Sequence, residues 1–117
     1  MENQHLAFQR LDIYKVALQF MQLVCSAPIK DPQLRDQATR AAKSAFLQLC
    51  EGLPNDGAGM RRKYFTESNN SVHECVGCID GARAIGALRV QYVGPILGLG
   101  WRFKRMLRKL LPGCRAV

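Results

Sequence analysis

Long apolar runs are absent from this 117-residue chain, and none approaches the ~18 residues needed to cross a bilayer. Its opening, Met1-Glu2-Asn3-Gln4-His5, has neither the basic region nor the apolar region of a secretion signal, so a cytoplasmic location is expected. Histidine is scarce. His5 and His73 are the only two, and neither lies in a recognisable nucleophile motif; no enzymatic activity is expected. No stretch alternates apolar and polar residues with a period of two, which excludes a sheet-based fold. The five cysteines, at positions 25, 50, 75, 78 and 114, are odd in number and unevenly spaced. They form no disulfide framework, and a reducing compartment keeps them as thiols. Carboxylates are missing altogether after Asp80.

The composition is that of a globular domain. Hydrophobic residues make up 48% and charged residues 22%, near the averages of about 45–50% and about 25%, which excludes wholesale disorder; the length suits one core. The net charge of +8 is unevenly spread. Positions 1–58 are balanced, so the whole excess lies in positions 59–117, where Arg83, Arg89, Arg102, Lys104, Arg105, Arg108, Lys109 and Arg115 follow the last carboxylate. A field of one sign attracts polyanions or acidic surfaces.

Four helical patterns account for nearly the whole chain, over approximately 12–27, 32–51, 60–86 and 89–111. In the first, Ile13, Val16, Ala17, Phe20, Leu23, Val24 and Ala27 share one stripe, opened by Asp12 as N-cap and closed by Pro28. Asp31-Pro32 supplies a cap and an N1 proline for the second. There Leu34, Ala38, Ala41, Ala42, Ala45 and Leu49 repeat the spacing, and Gly52 is the expected stop. Leu53-Pro54-Asn55-Asp56-Gly57-Ala58-Gly59 is a loop. The third stripe is Tyr64 or Phe65, Ser68, Val72, Cys75, Ile79 and Ala82, with Gly77 and Gly81 expected at close helix contacts and Gly86 as terminator. The fourth is Tyr92, Ile96, Leu99, Phe103, Met106 and Leu110, amphipathic and basic, with a kink or a true start expected at Pro95. Short connections between four helices imply an antiparallel up-down-up-down bundle, all-α and a single domain.

Several motifs invite a sharper chemistry. His73, Cys75 and Cys78 carry zinc-ligand side chains, but on a helix His73 and Cys75 point about 200° apart and cannot grip one ion; no metal or other cofactor is expected. The order of Gly94, Gly98 and Gly100 is not that of a phosphate loop, and small residues at four-residue spacing instead suit close helix approach. The basic side chains remain. Arg61, Arg62 and Lys63 open the third helix, and Arg102, Lys104, Arg105, Arg108 and Lys109 line the fourth. Antiparallel packing brings both clusters to one end, where they form a candidate phosphate-binding surface with a steep salt dependence. Two other readings stay open: an acidic protein partner docked on the same face, or the run Trp101 to Leu111 lying on an anionic membrane, although its apolar face is needed in the core.

Leu11-Asp12-Ile13-Tyr14-Lys15-Val16-Ala17 and Arg40-Ala41-Ala42-Lys43-Ser44-Ala45-Phe46-Leu47-Gln48-Leu49-Cys50-Glu51-Gly52 resemble a bacterial four-helix-bundle family first noticed as proteins encoded in ribosomal-RNA intervening sequences. Ser44, Glu51 and Gly52 match the family's pattern at the end of its second helix, whereas Phe46, Gln48 and Cys50 replace its proline, asparagine and alanine. Tyr64-Phe65 and Ser71-Val72-His73-Glu74 fall where the family has an aromatic residue and a serine followed three residues later by a glutamate. The resemblance runs from about Leu11 to Leu88. The family includes, or lies close to, the accessory variability determinants of diversity-generating retroelements, which are basic homopentameric barrels that bind a reverse transcriptase and nucleic acid. The resemblance thus implies the bundle, a homopentamer, and a reverse transcriptase and nucleic acid as partners. It gives no catalytic role to Glu51 or Glu74. Tyr14, Met21, Phe46, Leu47, Val76 and Trp101 are apolar residues outside the four stripes and are expected at subunit contacts.

Overall fold

Hydrophobic spacing of three and four residues folds the chain into four helices: α1 (Asp12–Ser26), α2 (Pro32–Gly52), α3 (Ala58–Ala84) and α4 (Val90–Leu110). They are seen in a computed structural model that describes residues Leu6–Leu111, so His5, Cys114 and Arg115 lie outside it. Each connection has five residues, too few to return along the bundle, so successive helices run antiparallel. α1 packs on α2 and α4, and α3 packs on α2 and α4, which closes a four-helix bundle. The Lys30 amide donates to the Ala87 carbonyl at 2.9 Å and ties the first and third connections together at one end.

The helix ends follow local chemistry. Asp31 caps α2, its carboxylate accepting from the Leu34 amide at 2.9 Å, and Pro32 takes the first position. Asp12 is different. Leu11 occupies the N-cap position of α1 and Asp12 is the first helical residue, where its charge faces the positive end of the helix dipole. α3 ends in a Schellman motif: Gly86 has φ +75°, its amide donates to the Arg83 carbonyl and that of Ala87 to Ala82. α4 starts at Val90 and passes through the exposed Pro95, so the proline does not mark its start. Ahead of α1, Ala7–Arg10 form a 3₁₀ turn whose Phe8 ring meets Tyr14 edge-on at 5.5 Å.

The stripes of α1, α2 and α3 are buried as expected, with Leu23 and Leu34 half-buried at their margins. The alanines of α2 let α3 come close enough for the Ser68 hydroxyl to donate to the Ala45 carbonyl at 2.7 Å, which satisfies the fully buried serine. α4 departs from expectation. Its buried residues are Val93, Ile96, Gly100, Phe103 and Leu107, whereas Leu99, Met106 and Leu110 are half-buried and Tyr92 is exposed. Gly100 sets this rotation: a Cβ there would stand 3.1 Å from Phe20 Cε1 and 3.4 Å from Val76 Cγ2, so α4 turns its bare backbone to them. Phe20 and Phe103 then meet edge-on across the core at 6.0 Å.

Gly77, Gly94 and Gly98 do not mark close helix contacts. A Cβ at any of them would have no neighbour within 4 Å, and at Gly81 it would make ordinary contact with Leu34 at 3.8 Å. Gly77→Ala therefore gains helix propensity without a clash. We expect about 1 kcal/mol of added stability and a melting temperature about 4 °C higher by circular dichroism.

Candidate nucleic-acid interface

The rotation of α4 decides where its cations stand. With Gly100 in the core, Lys104, Arg108, Arg105, Lys109 and Arg102 follow one another around the outer side of the last three turns over an arc of about 160°. Arg102, Arg105, Arg108 and Lys109 are exposed and Lys104 is half-buried. Among the described residues none of the five has a carboxylate partner, and the single ion pair is Arg35 with Asp36, at 3.9 Å. At one edge Lys104 lies beside α3-facing residues of a groove, its Nζ 5.6 Å from the centroid of the Trp101 ring on the same helix. Elsewhere Arg102, Arg105, Met106 and Lys109 frame a shallow depression of about 170 Å3.

The α3 cluster behaves differently. Arg61 is half-buried; its Nη1 donates to the Leu53 and Asn55 carbonyls at 3.2 Å each, and its guanidinium lies 5.1 Å from the Phe65 ring centroid. It thus serves the loop between α2 and α3. Arg62 is half-buried, and Lys63 is exposed with its Nζ 5.5 Å from the Tyr64 centroid. The two clusters do share one end of the bundle. Gly100 is level with Val76, so Arg108 is level with about residue 68, and Arg62 lies roughly 9 Å farther along the axis. Of the eight candidate cations, the five on α4 form one surface and the three on α3 stand apart.

Sequence reasoning missed a groove beside this strip. Val72, His73 and Val76 of α3 and Leu97, Gly100, Trp101 and Lys104 of α4 line about 300 Å3 of open, mostly apolar space. Trp101 is 55% exposed. The signal that could have revealed it is Gly100 itself, since a glycine at a buried position brings α4 toward α3 while leaving the flanking Trp101 without cover. Among the other apolar residues expected at subunit contacts, Tyr14 and Phe46 pack on each other at 5.5 Å and Met21 and Val76 are half-buried; only Leu47 is as exposed as Trp101.

The H-x-C-x-x-C residues diverge. His73 is exposed on the groove, while Cys75 is fully buried and its Sγ–H donates to the Ala38 carbonyl at 3.5 Å. Among the described residues no three His, Cys, Asp or Glu side chains stand together as a metal site would require. Glu51 and Glu74 are exposed, on different helices. Cys25, Cys50, Cys75 and Cys78 are free thiols. Burial pushes the Cys75 thiol up from 9.0 to about 12, helped by the neighbouring Cys78, Cys25 and Glu74. A raised thiol pKa stabilises the fold fully below the unfolded value, near 9, and this contribution is lost as pH climbs toward about 12. Stability should therefore fall as pH rises from about 9 toward about 12 in denaturant melts, and Cys75→Ala should flatten that dependence.

Among the described residues, no helix is long and apolar enough to cross a membrane. No protein-family model matches the chain, and no curated protein matches it.

Proposed function

We propose that this chain is a non-enzymatic accessory protein that binds nucleic acid through its phosphates. The observation that carries this reading is the outer face of α4: five adjacent cations, none of them ion-paired among the described residues, and no Asp or Glu in the chain after Asp80. Guanidinium groups offer forked donors that suit phosphate oxygens, and each contact releases counterions. Arg102, Lys104, Arg105, Arg108 and Lys109 are the principal contacts; Arg62 and Lys63 stand apart from them and serve only a ligand long enough to reach that end of α3, and Arg61 contributes less because its donors serve the loop. The resemblance to the intervening-sequence and accessory-determinant bundles supports a homopentamer beside a reverse transcriptase. Free thiols suit a cytoplasmic setting.

Anisotropy of a labelled oligonucleotide, titrated at low and raised salt, tests the reading. The expected result is binding whose log K falls with log salt at a slope of about −4.5 on duplex, from five phosphate contacts. No binding at low salt overturns it. A protein recovered on the same face in pull-downs, with no nucleic acid copurifying, would favour an acidic partner instead. Peripheral membrane binding has less to draw on, because Phe103 and Leu107 are fully buried and Trp101 is the main apolar side chain left free beside the cations.

A further inference from the structure

The groove between α3 and α4 adjoins the cation strip, and the two share Lys104. We infer that the groove receives an unpaired base, with Trp101 as the stacking surface, so that the favoured ligand is single-stranded nucleic acid held by its phosphates on α4. This rests on the nucleic-acid reading and narrows its substrate class.

Three observations converge. Trp101 is the largest exposed aromatic side chain of the bundle, 55% exposed and forming one wall of the groove. It is embedded among cations: around α4 it falls between Arg108 and Arg105, with Lys104 against its ring at 5.6 Å. Proteins that bind single strands without base selectivity combine these two elements, a positive track for the backbone and an aromatic face for a base. The groove is also the right kind of space. Its floor is the bare backbone of Gly100 with Val72, Val76 and Leu97, no carboxylate lines it, and its 300 Å3 lie at the lower end of ligand pockets, about 300–1,000 Å3. A planar base fits there; a duplex, with its bases already stacked and paired, has none to offer. A second copy of this chain docked through the same face is a poorer occupant, because it would bring like charge onto Lys104, Arg105 and Arg108.

Trp101 is the only tryptophan in the chain, so selectively excited tryptophan emission reports on this site alone. The test uses the full chain with a labelled oligothymidylate and a blunt duplex of equal length, followed by label anisotropy and by tryptophan emission at low salt. The expected result is quenching by the single strand, little quenching by the duplex, and for Trp101→Ala a loss of single-strand affinity of roughly ten-fold with duplex affinity unchanged. Trp101→Phe should keep most of the affinity. Single-strand binding in the anisotropy channel with no quenching, and with Trp101→Ala as tight as the parent, overturns this inference and leaves the phosphate strip standing. An emission shift that depends on protein concentration alone assigns the groove to a second copy and overturns it as well. Absence of binding to either oligonucleotide brings down the nucleic-acid reading itself.

Discussion

Exchange of Arg102, Arg105, Arg108 and Lys109 together for glutamine should weaken oligonucleotide binding by roughly 100-fold at about 0.1 M salt and flatten the log K against log salt slope by about four on duplex. The four side chains are exposed and form no ion pair, so the folded state loses no partner when they are neutralised. Two opposing effects bear on stability. Arg108 and Lys109 sit in the last turn of α4 and favour its negative end by about 0.3–1 kcal/mol each, while removing four neighbouring like charges relieves repulsion. The net change should stay within about 1 kcal/mol, so lost binding cannot be mistaken for lost fold. Arg61→Gln is the contrasting variant. Its guanidinium bonds two loop carbonyls, and hydrogen bonds from a charged donor are worth about 1.5–3 kcal/mol. It should cost stability while leaving the salt slope nearly unaltered. If instead the quadruple variant binds as tightly as the parent, the α4 strip is not the phosphate-binding surface.

That contrast between Arg61 and the α4 cations also marks where sequence reading stops. The stripe of α3 was legible because Phe65, Ser68, Val72, Cys75, Ile79 and Ala82 are the small or apolar residues of a helix whose other faces are largely polar, and all six are buried. α4 offered no such contrast. Leu97 and Trp101 flank one side of its true core face, Leu99, Met106 and Leu110 the other, and the central buried position is a glycine that carries no hydrophobic signal. The stripe read from hydropathy is therefore displaced toward the larger side chains, and only the demand of Phe20 and Val76 for space fixes the rotation. The cations on the outer face of α4 survive that error, since they cover a wide arc with no carboxylate among them. Arg61 does not, because its partners are carbonyls of a loop whose path no local pattern specifies. Gly77 and Gly52 make the same point from opposite sides: the first, expected at a close contact, has open space, and the second, expected as a helix stop, does end α2 but is held there by packing and not by a left-handed backbone.

Gly52→Ala should lower stability by about 2–3 kcal/mol, close to 10 °C in melting temperature, even though alanine is the better helix former by about 1 kcal/mol. Gly52 is the last residue of α2 and does not have the positive φ of a helix-ending glycine; among the described glycines only Gly86 does. What fixes the residue is the approach of α3. A Cβ there would stand 2.7 Å from Phe65 Cε1, 2.9 Å from Phe65 Cδ1 and 3.0 Å from Tyr64 Cβ. The Phe65 ring cannot retreat easily. It is fully buried, and the Arg61 guanidinium that lies over it is held by the Leu53 and Asn55 carbonyls. Relief of the clash must therefore move α3 or break the bonds that fasten the loop, and either cost exceeds the gain in propensity. Removing the ring should separate these terms. In the Phe65→Leu background, which is itself destabilised by lost burial, the added cost of Gly52→Ala should shrink to below about 1 kcal/mol, a coupling that denaturant melts of the four proteins would measure. Additive effects in that cycle would mean that the methyl group meets something other than the ring, and a neutral single variant would mean that the end of α2 yields without resistance.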